Sequence, residues 1–316
     1  MVSAFATYVG LLVLLWFGGR QLPLGLHLHS IFPDAFASFA LLLAPLWLFG
    51  FGLGEWLRGR SQSRAWRILL PAILGVPYLV FAIPAGNFHW FAAAVMFGLP
   101  VVLSALLEFS SLPPKLAWQD ALVLAVLVAI YMLRLLAHAW LSPQPAAFSK
   151  LYIADLALYL YLVVRRLGGM GYSFAPRGHA FLTGLREWLY FLPFALGLGF
   201  ALHFIHFHAA WPSPLRAAET LLVTFLLIAI PEEMFFRGIL QNLLETRLGR
   251  RMALLTAALL FGLAHFNKGA AFNWRYVLLA AIAGIFYGRA WRERRQLLAS
   301  VITHTAVDVL WALWFR

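Results

Sequence analysis

"TLLVTFLLIAIPEEMFFRG", Thr220 to Gly238, is an apolar run that ends in two adjacent carboxylates and an arginine. A stretch of about 20 apolar residues spans a ~30 Å hydrocarbon layer as a helix. A charged side chain within such a helix costs roughly 2.5–3.5 kcal/mol on insertion scales, so it marks a functional site by default. The rest of the chain supports a membrane reading of this stretch. Over 316 residues, 63% are hydrophobic, 16% aromatic and only 11% charged, with a mean hydropathy of +0.83. A soluble core of this length needs nothing so apolar. The composition predicts an all-α, polytopic transmembrane helix bundle.

Apolar runs fall at 3–19, 35–53, 68–86, 88–107, 119–141, 148–164, 183–203, 217–239, 252–267, 274–290 and 296–315, giving about eleven expected spans. The formal charge of +12 sits mainly between them. With a cytoplasmic N-terminus, the inside loops hold Arg58, Arg60, Arg64, Arg67, Lys115, Arg165, Arg166, Arg177, Arg186, Arg237, Arg247, Arg250, Arg251, Arg289, Arg292, Arg294 and Arg295. The outside segments hold Arg20, Lys150, Arg216, Lys268, Arg275 and Arg316, and Arg134 lies inside a span. This is the asymmetry of the positive-inside rule, and it predicts an integral multi-pass protein of a bacterial cytoplasmic (inner) membrane. The basic charge is topogenic and attracted to anionic lipid. No basic face with interleaved aromatics appears, so nucleic acid is not an expected partner. Ser3–Gly19 has neither a preceding basic residue nor a small-residue cleavage site, and reads as a retained helix. The absence of cysteine excludes disulfides, thiolate nucleophiles and Cys-based metal sites.

Glycines, a proline and arginines interrupt the pattern at "RRLGGMGYSFAPRG", Arg165–Gly178. The expected division is 1–164, an N-terminal transmembrane extension, and 165–316, a core that carries the chemistry. In the first part Asp120, Arg134, His138 and Asp155 are scattered without motif spacing. No internal repeat relates the two parts, which weighs against a transporter built from inverted repeats.

In the second part, polar groups recur in three apolar stretches: Glu232, Glu233 and Arg237; His265 in "FGLAHF"; His304 and Asp308 in "VITHTAVDVL". Glu233 and Arg237 are i and i+4 and pair along one helix face, while Glu232 is turned about 100° away. His304 and Asp308 have the same spacing, so the carboxylate can orient the imidazole. Phe261 lies one turn before His265 and can wall a pocket. Pro231 is expected to kink or widen the helix beside Glu232.

This arrangement resembles the CPBP family, the CAAX proteases and bacteriocin-processing enzymes that include the type II CAAX prenyl endopeptidases. That family shows E-E-x-x-x-R, F-x-x-x-H and H-x-x-x-N on three transmembrane helices. Here the matches are Glu232, Glu233 and Arg237; Phe261 and His265; His304 and Asp308, and the resemblance covers about 165–316. It implies that Glu232 is the general base for water, His265 its partner and His304 the oxyanion donor. Asp308 departs from the usual Asn. An ionised Asp cannot donate a hydrogen bond, so its expected role is to orient His304.

The residues alone allow the same chemistry, because amide hydrolysis without cysteine needs an activated hydroxyl or water, and a buried carboxylate beside an imidazole suits the latter. No cofactor is expected. A zinc reading uses Glu232, His265 and His304 as ligands with a fourth position open for water, but no H-E-x-x-H is present to supply a separate base. Glu233 with Arg237 is expected to hold Glu232 in place. His203, His206 and His208 in "HFIHFH" read as interfacial anchors, and Gly284 and Gly288 as a G-x-x-x-G helix-packing step. The expected function is an intramembrane endopeptidase acting on a membrane-associated peptide or protein. The alternatives are an ion- or proton-coupled transporter, or a non-catalytic immunity or scaffold protein that keeps the motifs.

Overall fold

The computed structural model describes residues 2–19, 32–60, 63–110, 113–140, 145–175, 178–269 and 272–315. Arg20, Arg177 and Arg316 of the charge pattern lie outside the described residues. The chain divides into two compact units, Met1–Gly168 and Gly169–Arg316. Among the described residues the structure is helical, with one isolated β-bridge between Phe207 and Phe315.

The first unit contains α1 (Val2–Gly19), α2 (Phe32–Phe49), α3 (Leu53–Arg60), α4 (Arg64–Ala82), α5 (Trp90–Phe109), α6 (Trp118–Met132) and α7 (Pro145–Leu158), which continues as a π-helical turn, Tyr159–Val164. Two ion pairs lie inside it. Asp120 bonds the Ala117 amide at 3.0 Å and pairs with Arg165 at 3.0 Å, and Arg67 pairs with Glu108. Arg134 was expected within a span. It lies past the end of α6, in left-handed conformation at φ 52°.

The second unit is built from α8 (Gly178–Ala201), α9 (Pro214–Leu263), α10 (Trp274–Arg294) and α11 (Leu297–Trp314). Across the described residues, five helices are long and apolar enough to cross a membrane: α4, α5, Ala147–Val164, α9 and α11. The number is six if α2 and α3, bent 84° apart, form one broken span. The expected count of about eleven exceeds what these helices support. Two of the expected spans, 217–239 and 252–267, are parts of the single 50-residue α9.

Helix α9 places the chemistry, and its shape follows from a few residues. Pro231 has no N–H to give to the preceding turn. On either side of it the helix widens into π-helical stretches, Thr224–Ala229 and Met234–Gln241, with one α-turn, Ile230–Glu233, between them. At Gly249 the backbone turns to φ 72°, ψ 168°, which a side chain would strain. The limb after this bend carries Phe261. Residues 240–251, expected as a loop, are helical, and their polar members Gln241 and Asn242 are buried.

The other helices close on this frame. A Cβ at Gly184 would lie 2.7 Å from the Ala299 carbonyl, so glycine allows α8 and α11 to touch there, and Thr303 Oγ1 donates to Gly184 O at 2.9 Å. The start of the unit is pinned to the α10–α11 turn: Trp291 Nε1 donates to Met170 O at 2.9 Å and the Leu297 amide to Gly171 O at 3.0 Å. Between the helices, Phe191, Phe261, Ala280, Ala283, Phe286 and Tyr287 form a buried cluster.

Candidate active site

Glu233 and Arg237 point inward from α9, and both side chains are completely buried. Arg237 Nη1 donates to Glu233 Oε1 at 3.1 Å, and Nη2 donates to the Gly284 carbonyl of α10 at 3.2 Å. The guanidinium carbon lies 4.4 Å from the Phe261 ring centre and 5.2 Å from that of Tyr287. Hydrogen bonds and aromatic faces together replace the water this cation has lost.

Glu233 does more than neutralise the arginine. His304 Nδ1 approaches Glu233 Oε1 at 2.7 Å, and the Ser300 hydroxyl donates to Glu233 Oε2. Since an ionised carboxylate only accepts, Nδ1 carries the proton and Nε2 faces away from Glu233. The His304 ring also stacks on Tyr287, with centres 4.7 Å apart and planes at 15°. One carboxylate, one hydroxyl and one aromatic face thus set the imidazole.

Asp308, expected to orient His304, does contact the ring, and Glu233 holds the opposite ring nitrogen. Asp308 Oδ2 lies 3.4 Å from Nε2, on the other side of the ring, and Glu232 Oε2 lies 4.0 Å from the same nitrogen. Both carboxylates are partly exposed, at 17% for Glu232 and 22% for Asp308. The helical offset between neighbouring residues therefore sends Glu233 into the protein and Glu232 toward the reactive nitrogen.

His265 was expected on the helix that bears Phe261. Helix α9 ends at Leu263, and His265 sits in the turn that follows, its amide bonded to Gly262 O at 2.9 Å. Its Nδ1 is 2.8 Å from Phe261 O, which can only accept, so Nδ1 donates and Nε2 presents its lone pair elsewhere. Phe261 packs against both imidazoles, with ring centres 4.8 Å from His265 and 5.7 Å from His304. Glu232 is within electrostatic range of His265. The structure thus brings Glu232, His304 and Asp308 together at one nitrogen, and His265 lines the same cavity as His304 and Asp308.

An apolar cavity of about 90 Å³ opens beside these groups, lined by His265, His304 and Asp308 together with Phe191, Tyr276 and Trp311 among others. At roughly 10–15 Å³ per water this holds several waters or one small apolar group.

Ser300 and Tyr287 were not singled out in the sequence. Ser300 had a readable signal, since Ser300, His304 and Asp308 repeat at four-residue intervals on α11. Tyr287 had none beyond its place between two glycines. As for metal, both imidazoles donate through Nδ1 and turn Nε2 outward, an orientation seen in metal-ligating histidines. Among the described residues, however, no group of three or more His, Asp or Glu side chains is gathered closely enough to hold an ion, and Glu232, His265 and His304 do not form such a set. His203, His206 and His208 are exposed in the loop after α8, where the His208 amide bonds Trp314 O at 2.8 Å.

Among protein-family models, the one described as "Type II CAAX prenyl endopeptidase Rce1-like" matches residues 214–310. Neither the curated proteins nor the solved structures give a match. The matched segment starts at the first residues of α9 and ends within α11, so it contains Glu232, Glu233, Arg237, Phe261, His265, His304 and Asp308. Over residues 214–310 the chain is therefore similar to the Rce1-like type II CAAX prenyl endopeptidases, the peptidase family that its three motifs resemble.

Proposed function

We propose that this protein is an intramembrane endopeptidase that hydrolyses a peptide bond of a membrane-associated peptide or protein, near the cytoplasmic side, with water activated by Glu232. One observation carries the reading: two adjacent glutamates have opposite environments. Glu233 is engaged by Arg237, Ser300 and His304, and its side chain is completely buried, out of a substrate's reach. Glu232 is partly exposed and faces His304 Nε2. A structural polar cluster would not need the second carboxylate there, whereas a hydrolase needs a base beside an imidazole.

In this mechanism Glu232 takes a proton from the attacking water, with His265 Nε2 as the second partner that orients it. The hydroxide adds to the scissile carbonyl carbon. His304, carrying protons on both nitrogens, donates from Nε2 to the oxyanion while Nδ1–H remains on Glu233. Asp308 stays beside Nε2 and steadies the charged ring. Collapse of the tetrahedral intermediate passes the proton held by Glu232 to the leaving amine, so the base is regenerated. The apolar walls of the cavity suit a substrate chain that arrives from lipid.

The test is direct. Purified protein is incubated with a peptide ending in a prenylated Cys-aliphatic-aliphatic-X sequence and with its unprenylated counterpart, and mass spectrometry reads the products. The proposal expects a new C-terminus from at least the prenylated peptide. Intact peptides at every enzyme concentration, together with no new termini when membranes with and without the protein are compared, would refute it.

A further inference from the structure

Gly284 and Gly288 read in the sequence as a helix-packing step, yet they have different neighbours. A Cβ at Gly284 would meet Ala258 Cα at 3.0 Å and Arg237 Nη2 at 3.2 Å. A Cβ at Gly288 would meet Leu254 Cδ1 at 2.3 Å and Gln241 Oε1 at 2.5 Å. Both glycines let α10 approach the second limb of α9. Only Gly284 also faces the charged chain of the site, and its carbonyl accepts from Arg237 Nη2 at 3.2 Å.

We propose that Gly284 is a positioning residue for the hydrolytic site: its carbonyl and the space left by its missing side chain seat the Arg237 guanidinium, which sets Glu233 and through it His304. The inference rests on the hydrolase reading above. The chain is continuous, from Gly284 O to Arg237, from Arg237 Nη1 to Glu233 Oε1 at 3.1 Å, and from that oxygen to His304 Nδ1 at 2.7 Å. Arg237 is fully buried against Phe261 and Tyr287. A methyl at position 284 crowds both the Ala258 backbone and Nη2, so relieving the contact shifts the guanidinium relative to the Gly284 carbonyl by a few tenths of an ångström, and the carboxylate it holds shifts with it. The Tyr287 ring under His304 sits on the same turn of α10, so one short segment supports the imidazole from below and holds its carboxylate from behind.

The experiment compares Gly284→Ala with Gly288→Ala in the full-length protein, using the prenylated peptide as probe and the amount of monodisperse protein as the measure of folding. Both variants lose some folded protein. Among the folded fraction, Gly284→Ala is expected to lose about tenfold in kcat, the order of effect of a displacement of a few tenths of an ångström where ~1 Å costs about 10²-fold. Its KM and the kcat of Gly288→Ala stay within about threefold of wild type. Equal kcat losses in the two variants, or an unchanged kcat in Gly284→Ala, would overturn the proposal.

If Gly284→Ala does not fold, the pair is tested on an Arg237→Lys background. The shorter side chain removes the contact with Nη2 and leaves the added methyl only its contact with Ala258, so Gly284→Ala should there cost less than about threefold further in kcat, and full additivity of the two losses would count against the inference. Should wild type leave the probe intact, the hydrolase reading fails for that substrate, and the positioning claim is read without catalysis. The rate at which diethylpyrocarbonate modifies His304, followed by mass spectrometry, should then change in Gly284→Ala but not in Gly288→Ala. Identical rates in all three proteins would refute it.

Discussion

At the scale of single residues, the adjacent glutamates are chemically alike and positionally opposite, and substitutions should separate them. Glu233→Gln strands Arg237 in a fully buried site, and breaking one side of such a pair costs about 3–5 kcal/mol. The expected outcome is less folded protein and a lower unfolding temperature in detergent, along with lost activity. Ser300→Ala removes one hydrogen bond to the same carboxylate, a smaller loss of about 1.5–3 kcal/mol that the same thermal scan should rank below Glu233→Gln. Asp308 shares the imidazole with Glu233, one carboxylate at each ring nitrogen. Asp308→Asn should keep part of the activity, since an amide can still bond at Nε2 and can donate to an oxyanion, and Asp308→Leu should lose most of it. Equal, near-complete loss in both variants would point instead to a required negative charge at 308.

At the scale of elements, the bend at Gly249 lets α9 carry Glu232 on one limb and Phe261 on the other. A residue with a Cβ at φ 72° is strained, so Gly249→Val should lower stability by more than about 1 kcal/mol and reduce kcat by shifting the Phe261 limb. Thermal unfolding and kinetics on the same preparation check both parts. Much of this architecture was legible in the sequence. The i, i+4 pairs survive as contacts because helical geometry alone determines them, as with Glu233 and Arg237 at 3.1 Å. What escaped reading has physical reasons. The π-helical turns beside Pro231 are a change of backbone hydrogen bonding that hydropathy periodicity does not encode. Residues 240–251 resembled a loop because they are polar, yet Gln241 Nε2 donates to Gly288 O at 3.4 Å and Asn242 accepts from Arg295 at 2.8 Å, so both side chains make long-range bonds from within a helix. The position of His265 past the helix end was hidden as well, since its Nδ1 bond to Phe261 O keeps the four-residue spacing while the backbone leaves the helix.

At the scale of the whole molecule, the chain has no cysteine, and the proposed chemistry rests on carboxylates and imidazoles. Met1–Gly168 holds internal ion pairs such as Asp120 with Arg165, whereas Gly169–Arg316 gathers Glu232, His304 and Asp308 around one nitrogen. A hydrolase working through Glu232 and water should keep its rate in a strong chelator, while a zinc enzyme loses its rate and regains it on adding metal. Following peptide cleavage before and after chelation distinguishes them. The central claim is that Glu232 is the base, and its most direct test is Glu232→Gln, which preserves volume and hydrogen-bonding reach while removing proton acceptance. In a cleavage assay on the prenylated peptide, with folding verified by thermal unfolding, the account predicts wild-type stability and a rate lowered by at least about 10²-fold. Cleavage by Glu232→Gln at the wild-type rate would contradict it.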